Sequence, residues 1–253
     1  MTGWLRVVGL GPGPAAQRTP EAEAALDAAS DLVGYGPYLA RLPPRAGQVR
    51  HASDNRVELK RACLALQLAA EGRQVAVVSA GDPGVFAMAS AVFEAMEAGP
   101  PAWRALDVEV LPGISAMFAA AARLGAPLGH DFCAISLSDN LKPWDVVTAR
   151  LAAAAGAGFV MALYNPASTT RPWQLAAAFA VLAGILAPAT PVVFATAIGQ
   201  DGERITITTL AEADPARADM RTLVLIGSPA TRRIARGDGR PVLYTPRFLP
   251  AVS

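Results

Sequence analysis

Cysteine and histidine are scarce, with two of each in 253 residues. Cys63 and Cys133 lie far apart, without a Cys-x-x-Cys partner or a nearby histidine set, which argues against a disulfide framework, a structural zinc site and a cysteine-held iron–sulfur cluster. Both read as small, buried apolar residues. His51 adjoins Arg50 in a stretch that reads as a surface loop, and His130 precedes Asp131 where it caps or braces the next strand. Neither has metal-ligand spacing, so no metal is expected. An excess of one charge is also lacking: 22 basic and 21 acidic side chains leave a net +1, which gives no general field for nucleic acid or an anionic membrane. No apolar run reaches the roughly 18 to 20 residues that span a bilayer. The opening "MTGWLRVVGLGPG" has no signal-peptide pattern, and the cytoplasm is the expected location.

What is abundant is hydrophobic sequence, 53% of the chain, enough for a substantial core. Short β-branched runs near 4–9, 32–35, 74–79, 107–111 and 132–136 alternate with Ala/Leu-rich helical patterns, the signature of a parallel sheet with crossover helices. A helix over 20–30 is punctuated by Thr19 as N-cap, Pro20 at its first position, and Glu21 and Glu23 near the positive end of its dipole. Others are expected over 57–71, 85–97 and from Gly113 to Gly125. Later, strands at 159–164 and 191–196 flank a helix, and "TAIGQDGERITITTL" reads as a strand, a glycine turn and an alternating strand. The run "TLVLIGS" reads as a central strand, and the tail from Gly237 as irregular. The expectation is two α/β domains: residues 1–112 with a mostly parallel sheet and residues 113–253 with a mixed one.

The stretch "VVGLGPGP" invites a dinucleotide reading. Gly9 and Gly11 fill two positions of G-x-G-x-x-G, but the third is Pro14, and Pro12 and Pro14 remove N–H donors that a phosphate needs. The second strand begins with Asp31 and ends at Tyr35, so its carboxylate is at the wrong end for a ribose. Four further loops, "SAGDPGVF", "LPGISA", "LYNPAS" and "ATAIG", also follow apolar runs. Ligands of open α/β sheets gather beyond the carboxyl ends of strands, which predicts one shared cleft.

This ordered set, with a late "MRTLVLIG", resembles the tetrapyrrole methylase family over nearly the whole chain. Within it, "GYGPYL", "SDNRVELKRA", "HDFCAISLSDNLKPWDVV" and "LYNPASTTRPWQL" are similar to the branch that methylates C-17 of precorrin-3B and contracts the macrocycle. The resemblance implies an S-adenosyl-L-methionine cofactor, S-adenosyl-L-homocysteine as product, a precorrin tetrapyrrole substrate, a homodimer, and an active site in a trough between two α/β domains. It implies cofactor contacts from Pro12, then from Gly81, Asp82, Pro83, Val85 and Phe86 in the second loop. Ser115 and Ala116 follow in "GISA", Tyr164 and Asn165 in "LYNP", Ala197 in "TAIG", and Thr222 and Leu223 in the late strand. A methylase acting at another carbon, or on a cobalt-containing intermediate, stays open, as does a NAD-binding or noncatalytic nucleotide-sensing module.

Methyl transfer from sulfonium to carbon is an in-line displacement that destroys a charge, so orientation and water exclusion matter more than a nucleophile–His–acid set. Ring contraction also calls for proton donors and acceptors. Asp54, Arg56, Tyr35 and Asp139 are the candidate catalytic residues, drawn from a wider group with Asn55, Glu58, Tyr38, His130, Asp131 and Ser138. Arg56, Lys142 and Arg171 are the candidates for binding substrate carboxylates.

Overall fold

The structure, a computed structural model, describes residues 3–168, 170–237 and 239–248. The chain divides into two compact units, Met1–Ser115 and Ala116–Ser253.

In the first unit the elements run β1 (Trp4–Gly9), α1 (Pro20–Ala28), β2 (Asp31–Tyr35), α2 (Gly36–Leu39), β3 (Val49–Ser53), α3 (Glu58–Ala70), β4 (Gln74–Ser79), α4 (Met88–Ala98) and β5 (Asp107–Leu111). All five strands are parallel in the order β3-β2-β4-β1-β5. Helices cover both faces, which is why the central strands are apolar without alternation. Leu5, Val7, Val75 and Val77 pack with Leu66 and Val92 of α3 and α4, while Val8, Ala76 and Val78 pack with Ala22 and Leu26 of α1. The Thr19 hydroxyl accepts from the Ala22 N–H at 3.1 Å, capping α1 as its sequence predicts.

The second unit continues with α5 (Ala116–Leu124), β6 (Gly125–Ala126), β7 (Phe132–Ser136), α6 (Trp144–Gly156), β8 (Val160–Tyr164), α7 (Gln174–Ala183), β9 (Pro191–Thr196), β10 (Arg204–Thr209), β11 (Thr222–Ile226), β12 (Arg232–Ile234) and β13 (Val242–Tyr244). Its main sheet has the order β10-β9-β11-β8-β7 and is mixed: β7 and β8 are parallel, while β11 runs antiparallel to both β8 and β9. The run "TLVLI" is the central strand, buried throughout. Leu163, Phe194 and Val224 face α6 and α7; Ala162, Val193 and Leu223 face α5.

Four expectations need correction. The tail is not irregular throughout, because β13 pairs with β12 and β6 in a small third sheet; residues 249–253 lie outside the described residues. His51 is in strand β3, not a loop, and its Nε2 lies 2.8 Å from Asp31 Oδ1. Cys63 is exposed, since it falls on the outer side of α3, and Cys133 is half-buried. Burial raises the Cys133 thiol pKa. Strand β3, "VRHAS", has little apolar signal because it forms the sheet edge. Among the described residues no helix is long and apolar enough to cross a membrane.

Candidate active site

In the first unit β1 lies between β4 and β5, so the three loops that leave their carboxyl ends are neighbours. They are stitched together. Gly11 N–H donates to Gly81 O at 3.2 Å and Gly81 N–H to Gly11 O at 3.0 Å, and both glycines have φ of +66°. A Cβ on Gly9 would lie 2.6 Å from Gly113 N, and one on Gly113 would lie 2.2 Å from Gly81 O. These glycines let three backbones touch.

Asp82 joins the same loops: Oδ1 accepts from Gly84 N–H at 2.8 Å and Oδ2 from Gly113 N–H at 3.1 Å. Pro12, Pro83 and Ser115 are buried, whereas Gly81, Val85 and Ala116 are partly open and Phe86 is 51% exposed. Beneath the first loop the Arg41 guanidinium donates to Gly11 O at 3.0 Å and Gly13 O at 2.9 Å. Burial, and the charge of Arg18, lower its pKa.

Beyond β3, the stretch Asp54–Arg56 is exposed and is held from below by Arg61 of α3. Arg61 is 5% exposed, and donates to Ser53 Oγ at 2.8 Å and Asp54 O at 2.7 Å. Among the described residues no carboxylate pairs with it, and burial lowers its pKa. Tyr35 packs edge-on against Tyr38, ring centroids 5.2 Å apart. Arg41 and Arg61 are additions to the sequence reading. Arg61 did carry a signal, because it falls in the i, i+4, i+8 register of Ala65 and Ala69 on the buried face of α3.

In the second unit the ends of β7, β8 and β9 and the start of β11 share one end of the sheet. There Asp139 Oδ1 accepts from both Arg171 Nη1 and Gln174 Nε2, each at 3.2 Å. Burial alone would raise the Asp139 pKa, but the bonds from Arg171, its own backbone and Gln174 outweigh that and lower it. These bonds favour the ionised carboxylate of Asp139. Arg171 is already ion-paired, and Lys142 donates to Ser138 O at 3.2 Å. Burial and nearby Arg150 lower the Lys142 pKa.

Tyr164 Oη accepts from Met117 N–H at 3.2 Å, bracing the start of α5. Thr222 Oγ1 donates to Asp219 Oδ1 at 2.8 Å and lies 3.0 Å from Thr196 Oγ1, so its hydroxyl is committed to its own unit. Ala197 N–H donates to Arg221 O at 3.0 Å, joining the "TAIG" loop to the entry of β11. Leu223 is 4% exposed and packs toward α5.

Arg56, Phe86, Asn165 and Ala197 are the non-glycine residues with positive φ among the described residues, at +65°, +51°, +53° and +52°. Such backbone costs about 1–3 kcal/mol where the side chain is not glycine, and it collects at functional sites. All four were singled out from sequence as site residues. The loops of the first unit fit the cationic cofactor of the resemblance: they offer backbone carbonyls, the Asp82 carboxylate and the half-exposed ring of Phe86. Among the described residues no cluster of three or more His, Cys, Asp or Glu is suited to a metal.

The model of the tetrapyrrole (corrin/porphyrin) methylases matches residues 5–214. A precorrin-3B C(17)-methyltransferase of a Sinorhizobium species is 58% identical over 254 residues, covering 100% of both chains. A probable cobalt-factor III C(17)-methyltransferase of Salmonella typhimurium is 42% identical, covering 90% of this chain and 93% of that one. Among solved structures, the methyltransferase CobJ superposes with a TM-score of 0.92 at 53% identity, covering 96% of this chain and all of its own. On its loops, its sheets and these similarities, the chain belongs to the tetrapyrrole (corrin/porphyrin) methylase family.

Proposed function

We propose that the protein is an S-adenosyl-L-methionine-dependent methyltransferase that methylates precorrin-3B at C-17, with ring contraction to precorrin-4, in cobalamin biosynthesis. The observation that carries the site assignment is the strained backbone at Arg56, Phe86, Asn165 and Ala197. The cofactor supplies an electrophilic methyl group whose departure discharges a sulfonium.

The chain's own residues orient and shield. Gly11, Gly81 and Gly113 close the loop floor, Asp82 fixes its shape, and Pro12, Val85 and Phe86 contribute apolar surface that excludes water. Ser115, Ala116, Tyr164, Asn165, Ala197, Thr222 and Leu223 complete the proposed cofactor set. The Thr222 hydroxyl is committed to Asp219 and Thr196, so its contact runs through the backbone. Arg56 and Lys142 pair with substrate carboxylates, and Arg171 acts through Asp139. Asp139 accepts a proton or hydrogen bond, while Asp54 and Tyr35 belong to the candidate loops of the first unit. A homodimer and a cytoplasmic location belong to the same proposal.

The reading is tested by incubating purified protein with precorrin-3B and cofactor carrying a labelled methyl group. One label per tetrapyrrole is expected at C-17; label retained in the cofactor, with substrate unchanged, overturns it. The Salmonella relative makes a cobalt-containing substrate the second reading. Faster turnover of cobalt-factor III than of precorrin-3B would select it.

A further inference from the structure

The segment after β8 contains an arrangement that packing alone does not favour. Gln174 opens α7 and is 1% exposed, yet its Oε1 has no hydrogen-bond partner among the described residues. Arg171 Nε and Ser168 Oγ, in the same short segment, are buried and have no partner among the described residues either. Reversing the Gln174 amide does not help, because Asp139 Oδ1 is acceptor-only and requires the Nε2 donor that it has at 3.2 Å. A buried acceptor without a donor destabilises the folded chain. Ala178 and Leu182, one and two turns further along the same face of α7, belong to the core, where a leucine would leave no polar atom unsatisfied.

The geometry at Asp139 gives the amide a purpose. Arg171 Nη1 and Gln174 Nε2 both donate to Oδ1, and no other side chain among the described residues donates to Oδ2. The Asp139 carboxylate also accepts from its own backbone N–H, and its side chain is 26% exposed, which leaves it accessible to a ligand. Donors from two points of the segment, Arg171 Nη1 and Gln174 Nε2, hold Oδ1 in place, whereas Nη1 alone, which also donates to Ser138 Oγ at 3.2 Å, leaves the carboxylate freer to turn.

We propose that Gln174 is a positioning residue that orients Asp139 toward the tetrapyrrole, retained at the expense of an unsatisfied buried oxygen. The inference rests on the proposed function, in which Asp139 is the acceptor for a proton or hydrogen bond from the substrate.

The test compares wild type with Gln174→Leu, Gln174→Glu and Asp139→Asn in methyl transfer to precorrin-3B, with melting temperature and S-adenosyl-L-homocysteine affinity measured alongside. Gln174→Leu is expected to lower kcat by about tenfold or more, the loss of one hydrogen bond to a charged group, with KM, cofactor affinity and melting temperature held or the last raised. Gln174→Glu adds a like charge beside Asp139 and moves the acid limb of the pH–rate profile to higher pH. Wild-type kcat in Gln174→Leu, or a loss that melting temperature and cofactor affinity share in proportion, overturns the proposal. Full activity in Asp139→Asn overturns it together with the role of Asp139. A wild-type protein that leaves the tetrapyrrole unmethylated removes the functional reading itself, and the positioning role with it.

Discussion

The carboxylate of Asp82 accepts the N–H of Gly113 at 3.1 Å while its other oxygen accepts that of Gly84 at 2.8 Å, so one side chain holds two loops in register. Asp82 is therefore a brace between its own loop and that of Gly113, beyond what an Asp-Pro-Gly turn needs. Asp82→Ala is expected to weaken S-adenosyl-L-homocysteine binding by about tenfold or more, since hydrogen bonds to a charged group contribute about 1.5–3 kcal/mol. Calorimetric titration reads it. Unchanged affinity would show that the loops hold without the carboxylate.

Gly113→Ala places a methyl group 2.2 Å from Gly81 O, a backbone atom with no flexible side chain to give way. The expected cost is about 1–3 kcal/mol of stability, with cofactor binding lost as the loops separate. Gly156→Ala, at the end of α6 where a Cβ meets nothing within 4 Å, is the control. It should stabilise by about 0.4–1 kcal/mol. Thermal melts that rank the two alike would refute the close-approach argument.

Stability should fall in acid at the foot of the first sheet. Asp31 is 1% exposed and accepts from Arg73 Nε at 2.7 Å and Ser30 Oγ at 2.7 Å, besides its contact with His51. Burial alone would raise its pKa, but these partners outweigh burial and lower it. A carboxylate with a lowered folded pKa contributes its stabilisation above the unfolded value near pH 4 and loses it as pH falls through the folded one. Asp31→Asn should cost about 1–3 kcal/mol at neutral pH, discounted because Arg73 is largely solvated, and should flatten the acid limb of stability against pH. Urea melts from pH 3 to 7 check both. An acid limb of unchanged steepness would assign it to other carboxylates.

Arg61→Met separates folding from function in the stretch Ser53–Arg56. An apolar side chain of similar length in place of a buried cation that no carboxylate pairs with should be close to neutral for stability. The ties to Ser53 Oγ and Asp54 O disappear, however, and the turnover of tetrapyrrole should drop by about tenfold while cofactor affinity holds. Steady-state kinetics beside a melting curve decides. Full turnover would make Arg61 a packing residue.

Much of the fold was legible because its signals are local. Thr19-Pro20 announces α1, the run at 74–79 is too apolar for an exposed edge, and the alternation of "RITITT" marks a half-covered antiparallel strand. Strand β3 was not legible, because an edge strand buries little and "VRHAS" has no run of apolar residues. His51 was misplaced with it, since only the pairing of β3 with β2 brings it to Asp31.

The sequence by itself determined the alternation of strands and helices, the helix caps, the glycine and proline punctuation of the loops and the family to which their order belongs. These depend on residues close in the chain, where periodicity and backbone preference act directly. Only the tertiary structure decided that Asp82 spends one oxygen on the loop of Gly113, that Arg171 is neutralised by Asp139, and that Arg61 and Gln174 support residues singled out by the sequence. The contacts of Asp82 with Gly113 and of Asp139 with Arg171 and Gln174 join segments more than 30 residues apart, and the orientation of a carboxylate is set by whichever donors the fold brings to it.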